Sequence, residues 1–516
     1  MSTTEAPEAP PGYTQPRYTH EQITQVITGI MLCILLAALD QTVVVPAVPV
    51  IAAEMGAFGH LSWIVTAYLL TSTAATPIYG KLSDSFGRRK LLLGGLVVFI
   101  AASLCCGFSR NIVQLILSRA LQGLGGAGLM SMAQAAIADV VSPRERGRYQ
   151  GYMAGAWGVA SVAGPVVGGY VTQHLSWRWL FWANLPLGLV AMVLCDRALR
   201  MLPVRGGRAN IDGIGAALLV GAVTSWLLVL SWGGIEFPWA SAPVIGLAVL
   251  GAVFVAVLMP VERRAADPIL PPRVFARPVF LGGVAVAFCV SLGLLGATFM
   301  LPLWFQLVIG VDPARSGLLV MPFLAANTIG AYTAGQFARK IGRTKAIVVT
   351  ALCACAAGFL ILASVGARTP EALVLGATVL LGLGIGGVMP SVLVQVQNSA
   401  EHGDVGAATG ALLFLRSMGG AFGSTVTGAL LAARFNAGLR AVGAGEVSLG
   451  ALQGGGGGAL SSLGGAGLAA ARRALVSGFH LAFWACAGVI LLALAIAAAT
   501  RDVPLRSTEI PREVGH

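Results

Sequence analysis

The sequence predicts an all-α polytopic membrane protein, and three observations support this fold class. The chain has 516 residues, of which 56% are hydrophobic and only 10% charged, whereas soluble proteins carry about 25% charged residues. Its apolar residues form long runs, and a membrane-spanning helix needs about 20 of them. A transmembrane β-barrel is excluded because its strands are alternating segments of only about 10 residues.

Fourteen apolar runs are long enough to be transmembrane helices. They start near Thr24, Leu61, Leu91, Ile112, Tyr149, Trp177, Asp212, Ala242, Val279, Gly317, Ala346, Ala372, Gly406 and Phe479. Most of the 33 lysines and arginines fall in alternate loops, so the positive-inside rule places both termini in the cytoplasm. The net charge of +12 then faces the anionic inner leaflet, and it needs no nucleic acid to explain it.

An internal repeat divides the chain into two halves. Gly80 and Gly87 after the second span recur at the same offset as Gly335 and Gly342 after the tenth, while two middle spans have no counterpart. The predicted plan is a disordered tail (1–21), a six-helix half (22–200), two additional helices with linkers (201–272), a second six-helix half (273–500) containing a Gly-rich outer loop (434–477), and a tail (501–516).

The loop between the second and third spans carries a glycine, acid and arginine pattern. Its members are Gly80, Asp84, Gly87, Arg88 and Arg89. Gly80 permits close helix approach, and Asp84 can cap the third helix or pair with an arginine. We predict that this loop acts as a conformational switch, whereas the plainer alternative is a loop that only follows the positive-inside rule.

Two charges inside spans are candidates for proton coupling. Asp40 in the first span is the only acid well inside a span, and Arg119 lies within the fourth. A guanidinium inside a membrane costs about 2.5–3.5 kcal/mol on insertion scales, which makes function the default hypothesis. An acid among apolar groups and near a cation can gain and lose a proton. The structural alternatives are an arginine satisfied by backbone carbonyls and an Asp40 that only supports packing.

The fifth span contains a Gly-Pro pair followed by two further glycines. These residues are Gly164, Pro165, Gly168 and Gly169. Small residues allow tight packing against a neighbouring helix, and a proline kinks the helix that contains it.

Together, these motifs resemble those of the major facilitator superfamily. The segment from Leu39 to Thr42, with residues 177–186, also resembles its fourteen-span drug/proton antiporter family. The resemblance implies two halves that rock about a central site, a proton pathway through Arg119 and an antiporter-type motif at 164–169. The chain departs from the family pattern at Ser85, where arginine is usual.

The predicted function is proton-driven export of lipophilic or cationic drugs across the cell inner membrane by alternating access. The protein is predicted to be a secondary transporter rather than an enzyme. Its predicted partners are the small-molecule substrate, protons and membrane lipids, with a periplasmic adaptor protein as a further candidate. Two alternatives stay open: a proton-coupled transporter of another solute, such as a lipid, metabolite or siderophore-like molecule, and a non-transporting sensor or scaffold.

A weakly polar, aromatic cavity is predicted to bind the substrate. Its candidate residues are Gln41, Gln122, Trp304, Gln306, Phe323, Asn327, Phe414, Arg416 and Met418. Such a lining favours bulky lipophilic or monocationic compounds over divalent cations. Phe323 and Asn327 are four residues apart and share a helix face. The alternative is that these side chains face lipid or neighbouring helices.

The sequence carries no motif typical of ATP, dinucleotide or metal binding. The only Gly-Lys pair is followed by Leu82, so no ATP-binding loop is present, and the two Gly-x-Gly-x-x-Gly matches lie within apolar spans. The eight cysteines lie in apolar runs without a metal-ligand spacing and are predicted to be core thiols. We therefore predict no cofactor, metal, nucleic acid or ATP.

Overall fold

The computed structural model describes residues 19–55, 61–200, 212–234, 236–366, 369–401, 403–441 and 464–505. Within them the helices are α1 (His20–Val43), α2 (Val48–Met55), α3 (Leu61–Phe86), α4 (Arg88–Phe108), α5 (Ile112–Val140), α6 (Pro143–His174), α7 (Arg178–Trp182), α8 (Asn184–Leu199), α9 (Gly213–Trp232), α10 (Ala242–Arg264), α11 (Pro272–Phe275), α12 (Pro278–Trp304), α13 (Pro313–Ile341), α14 (Lys345–Leu362), α15 (Glu371–Ser399), α16 (Val405–Arg440) and α17 (Gly464–Ala499).

Each predicted span corresponds to one of these helices, with α7 and α8 forming a single span. Thirteen helical segments of the described chain are long and apolar enough to cross a membrane. The remaining long helix, α3, has 26 residues and lower hydropathy because its interior carries serines, threonines and a proline. The all-α fold with six, two and six long helices is confirmed.

Polar residues set several helix starts. Thr19 and Gln22 form a reciprocal capping box before α1, so this helix begins inside the predicted tail 1–21. Residues 1–18 of that tail and 506–516 of the other lie outside the described residues. Asn111 accepts a hydrogen bond from the Gln114 amide at 2.9 Å and caps α5. Each cap satisfies an amide that the helix leaves unpaired.

The boundaries of the predicted outer loop 434–477 are corrected. Helix α16 extends to Arg440 and α17 begins at Gly464, so both ends of the predicted loop are helical. Residues 442–463, which include the glycine run, lie outside the described residues. The apolar and alanine-rich flanks continue the helices because alanine is the best helix former.

The two halves each have their own core. Ile30, Phe99 and Met132 belong to the core of the N-terminal half, and Phe280 and Phe359 to that of the C-terminal half. The halves touch where α3 meets α16 and where α6 meets α13. We call the end of the bundle at which α1 begins the basic end, because Lys81, Arg88, Arg144 and Arg339 lie there.

Glycines bring the halves together at the basic end. A Cβ atom on Gly80 would overlap the backbone of Gly406, and one on Gly335 would overlap the backbone of Gly147. Arg144 also donates a hydrogen bond to the Arg339 carbonyl at 2.8 Å. The basic end is therefore closed in this structure.

Candidate functional site

Asp40 lies near the end of α1 and is 3% exposed. Arg119 of α5 donates from Nη1 to Asp40 Oδ2 at 2.7 Å. The other carboxylate oxygen accepts hydrogen bonds from Gln122 Nε2 and Asn184 Nδ2, each at 2.8 Å. Gln122 lies on α5 with Arg119, and Asn184 lies on α8. Ser103 of α4 accepts a hydrogen bond from Gln122 at 2.7 Å. The network around Asp40 therefore joins α1, α4, α5 and α8.

Arg119 is as completely enclosed as the acid. It is 1% exposed, and its Nη1 also donates to Gln122 Oε1 at 2.7 Å, while Nε donates to the Ile64 carbonyl at 3.2 Å. Its guanidinium carbon lies 4.5 Å from the centre of the Tyr68 ring. Arg119 therefore has both a backbone carbonyl and an acid as partners, and the ion pair offsets the burial of each charge.

Glycines in α5 place Arg119 against α3. A Cβ on Gly123 would overlap Thr71 and the Tyr68 carbonyl, and one on Gly125 would overlap the backbone of Phe99 in α4. The Gly-x-Gly-x-x-Gly match in α5 therefore serves helix packing, as expected for small residues in membrane helices.

The network can hold the site in two protonation states. Ionised Asp40 accepts only, whereas protonated Asp40 offers one donor. The neighbouring Gln122 and Asn184 side chains each carry a donor and an acceptor. Rotation of the Asn184 amide would therefore present an acceptor to the protonated acid, whereas the Gln122 oxygen is held by Arg119. Arg119 would lose its counter-charge.

The Gly-Pro motif of α6 packs against α1 directly beside Asp40. A Cβ on Gly164 would overlap Thr42, and one on Gly168 would overlap the Val43 carbonyl. Thr42 also donates to the Ala160 carbonyl at 2.9 Å. Pro165 lies inside α6, whereas a Cβ on Gly169 would meet no atom within 4 Å. Gly164 and Gly168 thus lie where α6 packs on α1 next to Asp40, whereas Pro165 is exposed and Gly169 makes no close approach.

Asp84 links the two halves at the basic end. It accepts from Arg88 Nη2 at 2.6 Å and from the amides of Gly406 and Ala407 at 3.0 and 2.9 Å. These amides open α16, so Asp84 caps a helix of the opposite half rather than the third span. The predicted pairing with an arginine is present, while the predicted capping partner was wrong.

The rest of the predicted switch loop supports this link. Arg88 also donates from Nε to Asp139 at 2.9 Å, and Arg89 pairs with Asp196 at 2.5 Å. Gly87 has φ +87°, a left-handed conformation that favours glycine. The turn at Gly87 lets α4 start immediately at Arg88 and brings its guanidinium to Asp84.

The profile of the Major Facilitator Superfamily matches residues 30–424, which include the ion pair, the Gly-Pro motif and the Asp84 link. The chain belongs to the major facilitator superfamily. It is 36% identical over 411 residues to the multidrug transporter protein MdtP of Bacillus subtilis, covering 80% of this chain and 76% of MdtP. It is 35% identical over 417 residues to the efflux pump FUS6 of Gibberella moniliformis, covering 78% and 73% of the two chains.

A solved superfamily structure has the same fold. The proton:xylose symporter XylE aligns with a TM-score of 0.59 and 14% identity, over 93% of this chain and 95% of XylE. At this identity the likeness concerns the fold alone. The two additional helices α9 and α10 lie between the halves in sequence and pack on each other.

Several predicted cavity residues of this major facilitator protein lie in helix-packing cores instead. Trp304 and Phe323 are fully buried in the core of the C-terminal half. Phe414 and Met418 pack in a cluster with Leu219 of α9 and Ala74 of α3. Aromatic and Met side chains fill cores as readily as cavities. All four side chains thus pack against neighbouring helices in this structure, and their role in substrate binding stays a prediction.

The remaining predicted cavity residues are polar. Gln122 belongs to the Asp40 network, and Gln306 is partly buried and donates to Ser316 at 3.3 Å. Gln41 and Asn327 are also partly buried. Asn327 is therefore less enclosed than Phe323, although the two share a helix face.

We expect Trp304→Ala to lower stability without changing substrate preference. Trp304 packs edge-on against Phe479 at 5.3 Å between ring centres, and removing a buried tryptophan costs about 3–5 kcal/mol. Its Nε1 has no hydrogen-bond partner, so Trp304→Phe serves as the control. Thermal denaturation should separate the two variants, while a changed ranking of transported compounds in Trp304→Ala would return this residue to the cavity.

Sequence reasoning missed two members of the hydrogen-bond network around Asp40. Asn184 stands within the 177–186 segment, and Ser103 is a lone hydroxyl in the apolar helix α4. A polar side chain among apolar neighbours was the available signal for both. Their partners could not be inferred, because Asn184 donates to an Asp40 that lies 144 positions away in the chain, and Ser103 accepts from Asn184 across 81 positions.

Proposed function

We propose that this protein is a proton-driven exporter of lipophilic small molecules. The observation that carries the proposal is the enclosed Asp40–Arg119 pair, next to which the Asn184 amide can serve as donor or acceptor. An ionisable residue inside a membrane bundle is a functional hypothesis by default, since its burial is costly. Similarity to MdtP and FUS6, which are named as a multidrug transporter and an efflux pump, supports export as the direction.

Coupling would follow from the contact between the proton site and α6. When Asp40 binds a proton, Arg119 loses its counter-charge and the end of α1 can shift. The close packing of α1 on Gly164 and Gly168 would transmit that shift to α6, which meets the opposite half through Gly147. Proton binding and substrate binding would then each weaken the other.

The basic end is proposed to face the cytoplasm. This orientation follows the positive-inside rule and would leave both termini in the cytoplasm. The inner membrane is the proposed location, since export from the cytoplasm has to cross it. The structure would then be closed toward the cytoplasm. Opening there requires the Asp84 link and the α6–α13 contact to separate, which gives the alternating access expected of paired six-helix halves.

Substitution at Gly335 should open the basic end. In Gly335→Ala the added Cβ would overlap the Gly147 backbone, and two helix backbones cannot yield as a flexible side chain does. We expect faster hydrogen exchange in residues 143–155 and 325–341, and a fall in transport of about tenfold.

The matched control for this variant is Gly317→Ala on the same helix. A Cβ there would meet no atom within 4 Å, so exchange and transport should stay at wild-type levels. Equal hydrogen-exchange rates in the Gly335→Ala and wild-type proteins would show that the contact between Gly335 and Gly147 does not hold the basic end closed.

The competing functions make different use of the same residues. A symporter would move substrate and protons in one direction, whereas the Gly-Pro motif beside Asp40 favours antiport. A sensor or scaffold would not need a proton site. Antiport is compatible with a lipid, metabolite or siderophore-like substrate, and with an adaptor partner. The proposed mechanism requires neither such a substrate nor such a partner.

Reconstituted protein tests the proposal directly. Purified protein in liposomes would receive an imposed pH gradient and a panel of lipophilic cations, anions, neutral antibiotics and lipids. We expect substrate movement opposite to proton movement, lost when an ionophore collapses the gradient. Movement in the same direction as protons would establish a symporter, and no proton-linked movement of any compound would reject the proposal.

A further inference from the structure

Arg416 is a second guanidinium inside the bundle, and its surroundings differ from those of Arg119. It lies 11 residues after the start of α16, which is about 16 Å along the helix and hence about halfway through a bilayer core. Within the part of the chain that the structure describes, no hydrogen bond or ion pair engages it. Arg119, by contrast, has an acid, an amide and a carbonyl as partners.

The Arg416 side chain faces the protein rather than lipid. Gly420 and Gly423 follow it at the i+4 and i+7 positions, on the same helix face. Cβ atoms on these glycines would overlap Leu295 and Leu292 of α12. On the other side, Thr409 lies seven residues earlier on this face and accepts from Gln397 of α15 at 3.1 Å. Neighbouring helices thus border Arg416 along its helix face.

Its guanidinium also borders open space. Arg416 is only partly buried, and its nitrogens are absent from the fully enclosed polar atoms that lack partners. An arginine without a partner is stable at this depth only where water or a ligand reaches it, because an unsolvated buried charge costs several kcal/mol. The position is therefore open to a ligand.

The charge balance of the interior favours an anion. Asp40 is offset by Arg119, and no other acid of the described chain lies well inside a span. Arg416 consequently leaves one uncompensated positive charge midway through the bundle. A cationic substrate would meet that charge and no free carboxylate, which argues against the preference for monocations predicted from the sequence.

We propose that Arg416 binds the acidic group of a lipophilic organic anion during export. This substrate class rests on the proposed exporter function and extends it. The planar guanidinium suits a carboxylate, which it binds through two parallel hydrogen bonds.

A set of three fluorescent compounds with one apolar body tests the site. Pyrenebutyrate, pyrenebutyramide and pyrenebutylammonium differ in charge but share the pyrene ring. Binding would be measured by fluorescence to protein in phosphatidylcholine nanodiscs, with empty nanodiscs subtracted. We expect wild-type protein to bind the butyrate about tenfold more tightly than the amide, and the ammonium most weakly, because a charge-assisted hydrogen bond is worth about tenfold or more in affinity.

Substitutions at Arg416 test whether this residue causes the preference for the butyrate. Arg416→Gln should bring the butyrate-to-amide affinity ratio close to one, and Arg416→Lys should leave an intermediate ratio. The control is Arg434→Gln on the same helix, whose exposed side chain should leave the ratio unchanged. The proposal would be overturned if the wild-type protein preferred the ammonium, a result that does not depend on the folding of any variant. It would also be overturned if the Arg416→Gln protein kept an unchanged ratio.

Flux measurements separate this proposal from the exporter function. Anion binding that depends on Arg416 without proton-driven movement of any compound would leave the site standing and reject export. Proton-driven movement of the ammonium that is indifferent to Arg416→Gln would leave export standing and reject the anion site.

Discussion

Asp40→Asn is expected to abolish substrate movement driven by a pH gradient. The asparagine amide occupies nearly the same volume and can still accept a hydrogen bond from Arg119, yet it cannot bind and release a proton. Exchange of labelled for unlabelled substrate across a membrane without a gradient should persist, because that reaction needs only alternating access. Liposomes containing the variant would be assayed for both reactions.

A matched acid supplies the control for this variant. Glu54 also pairs with an arginine, Arg178, at 2.6 Å, but its side chain is 47% exposed. Glu54→Gln therefore makes the same chemical change where solvent can compensate, and we expect gradient-driven transport within about twofold of wild type. If Asp40→Asn transported at wild-type rates under a pH gradient, the proton-coupling role of this acid would be rejected.

The helical architecture could be predicted because its causes are local. Apolar length and the distribution of arginines identify spans without reference to tertiary contacts. The same holds for Asp40 and Arg119, since a charge inside an apolar run is unusual in any arrangement of the helices. The sequence did not reveal that these two residues contact each other, because they are 79 positions apart.

Contacts between the halves were the least predictable feature. Asp84 accepts from amides more than 320 positions away, and a capping residue is normally recognised by its place just before the helix it caps. The local pattern pointed to α4, whereas the fold brings the start of α16 within reach. The packing of α3 on α16, with Gly80 against Gly406 and Gly410 against Pro77, creates this proximity.

The sequence could not distinguish cavity residues from core residues, for a different reason. In a soluble protein the polar face of a helix distinguishes surface from core, but in a membrane helix both lipid-facing and core-facing sides are apolar. Trp304 and Phe323 therefore carry no sequence signal that separates a cavity from a packed interior. Arg416 does carry such a signal, since its charge demands compensation wherever it lies.

Arg119→Ala is expected to remove proton coupling and to destabilise the protein. The variant leaves Asp40 enclosed without its cation, and breaking a buried ion pair in this way costs about 3–5 kcal/mol. Without the guanidinium, proton binding at Asp40 could no longer make and break an ion pair, so coupling should be lost. The midpoint temperature of thermal denaturation and the rate of gradient-driven transport should both fall.

Arg119→Lys should recover coupling only in part. One Arg119 nitrogen serves both Asp40 Oδ2 and Gln122 Oε1, while Nε holds the Ile64 carbonyl at 3.2 Å. A lysine ammonium can replace the contact with Asp40 but cannot reach all three acceptors from one atom.

The double variant Asp40→Asn/Arg119→Gln should be more stable than the sum of the single changes by about 1–3 kcal/mol, because neither charge is left alone. Strict additivity, or full coupling in Arg119→Ala, would show that the pair does not act as a unit.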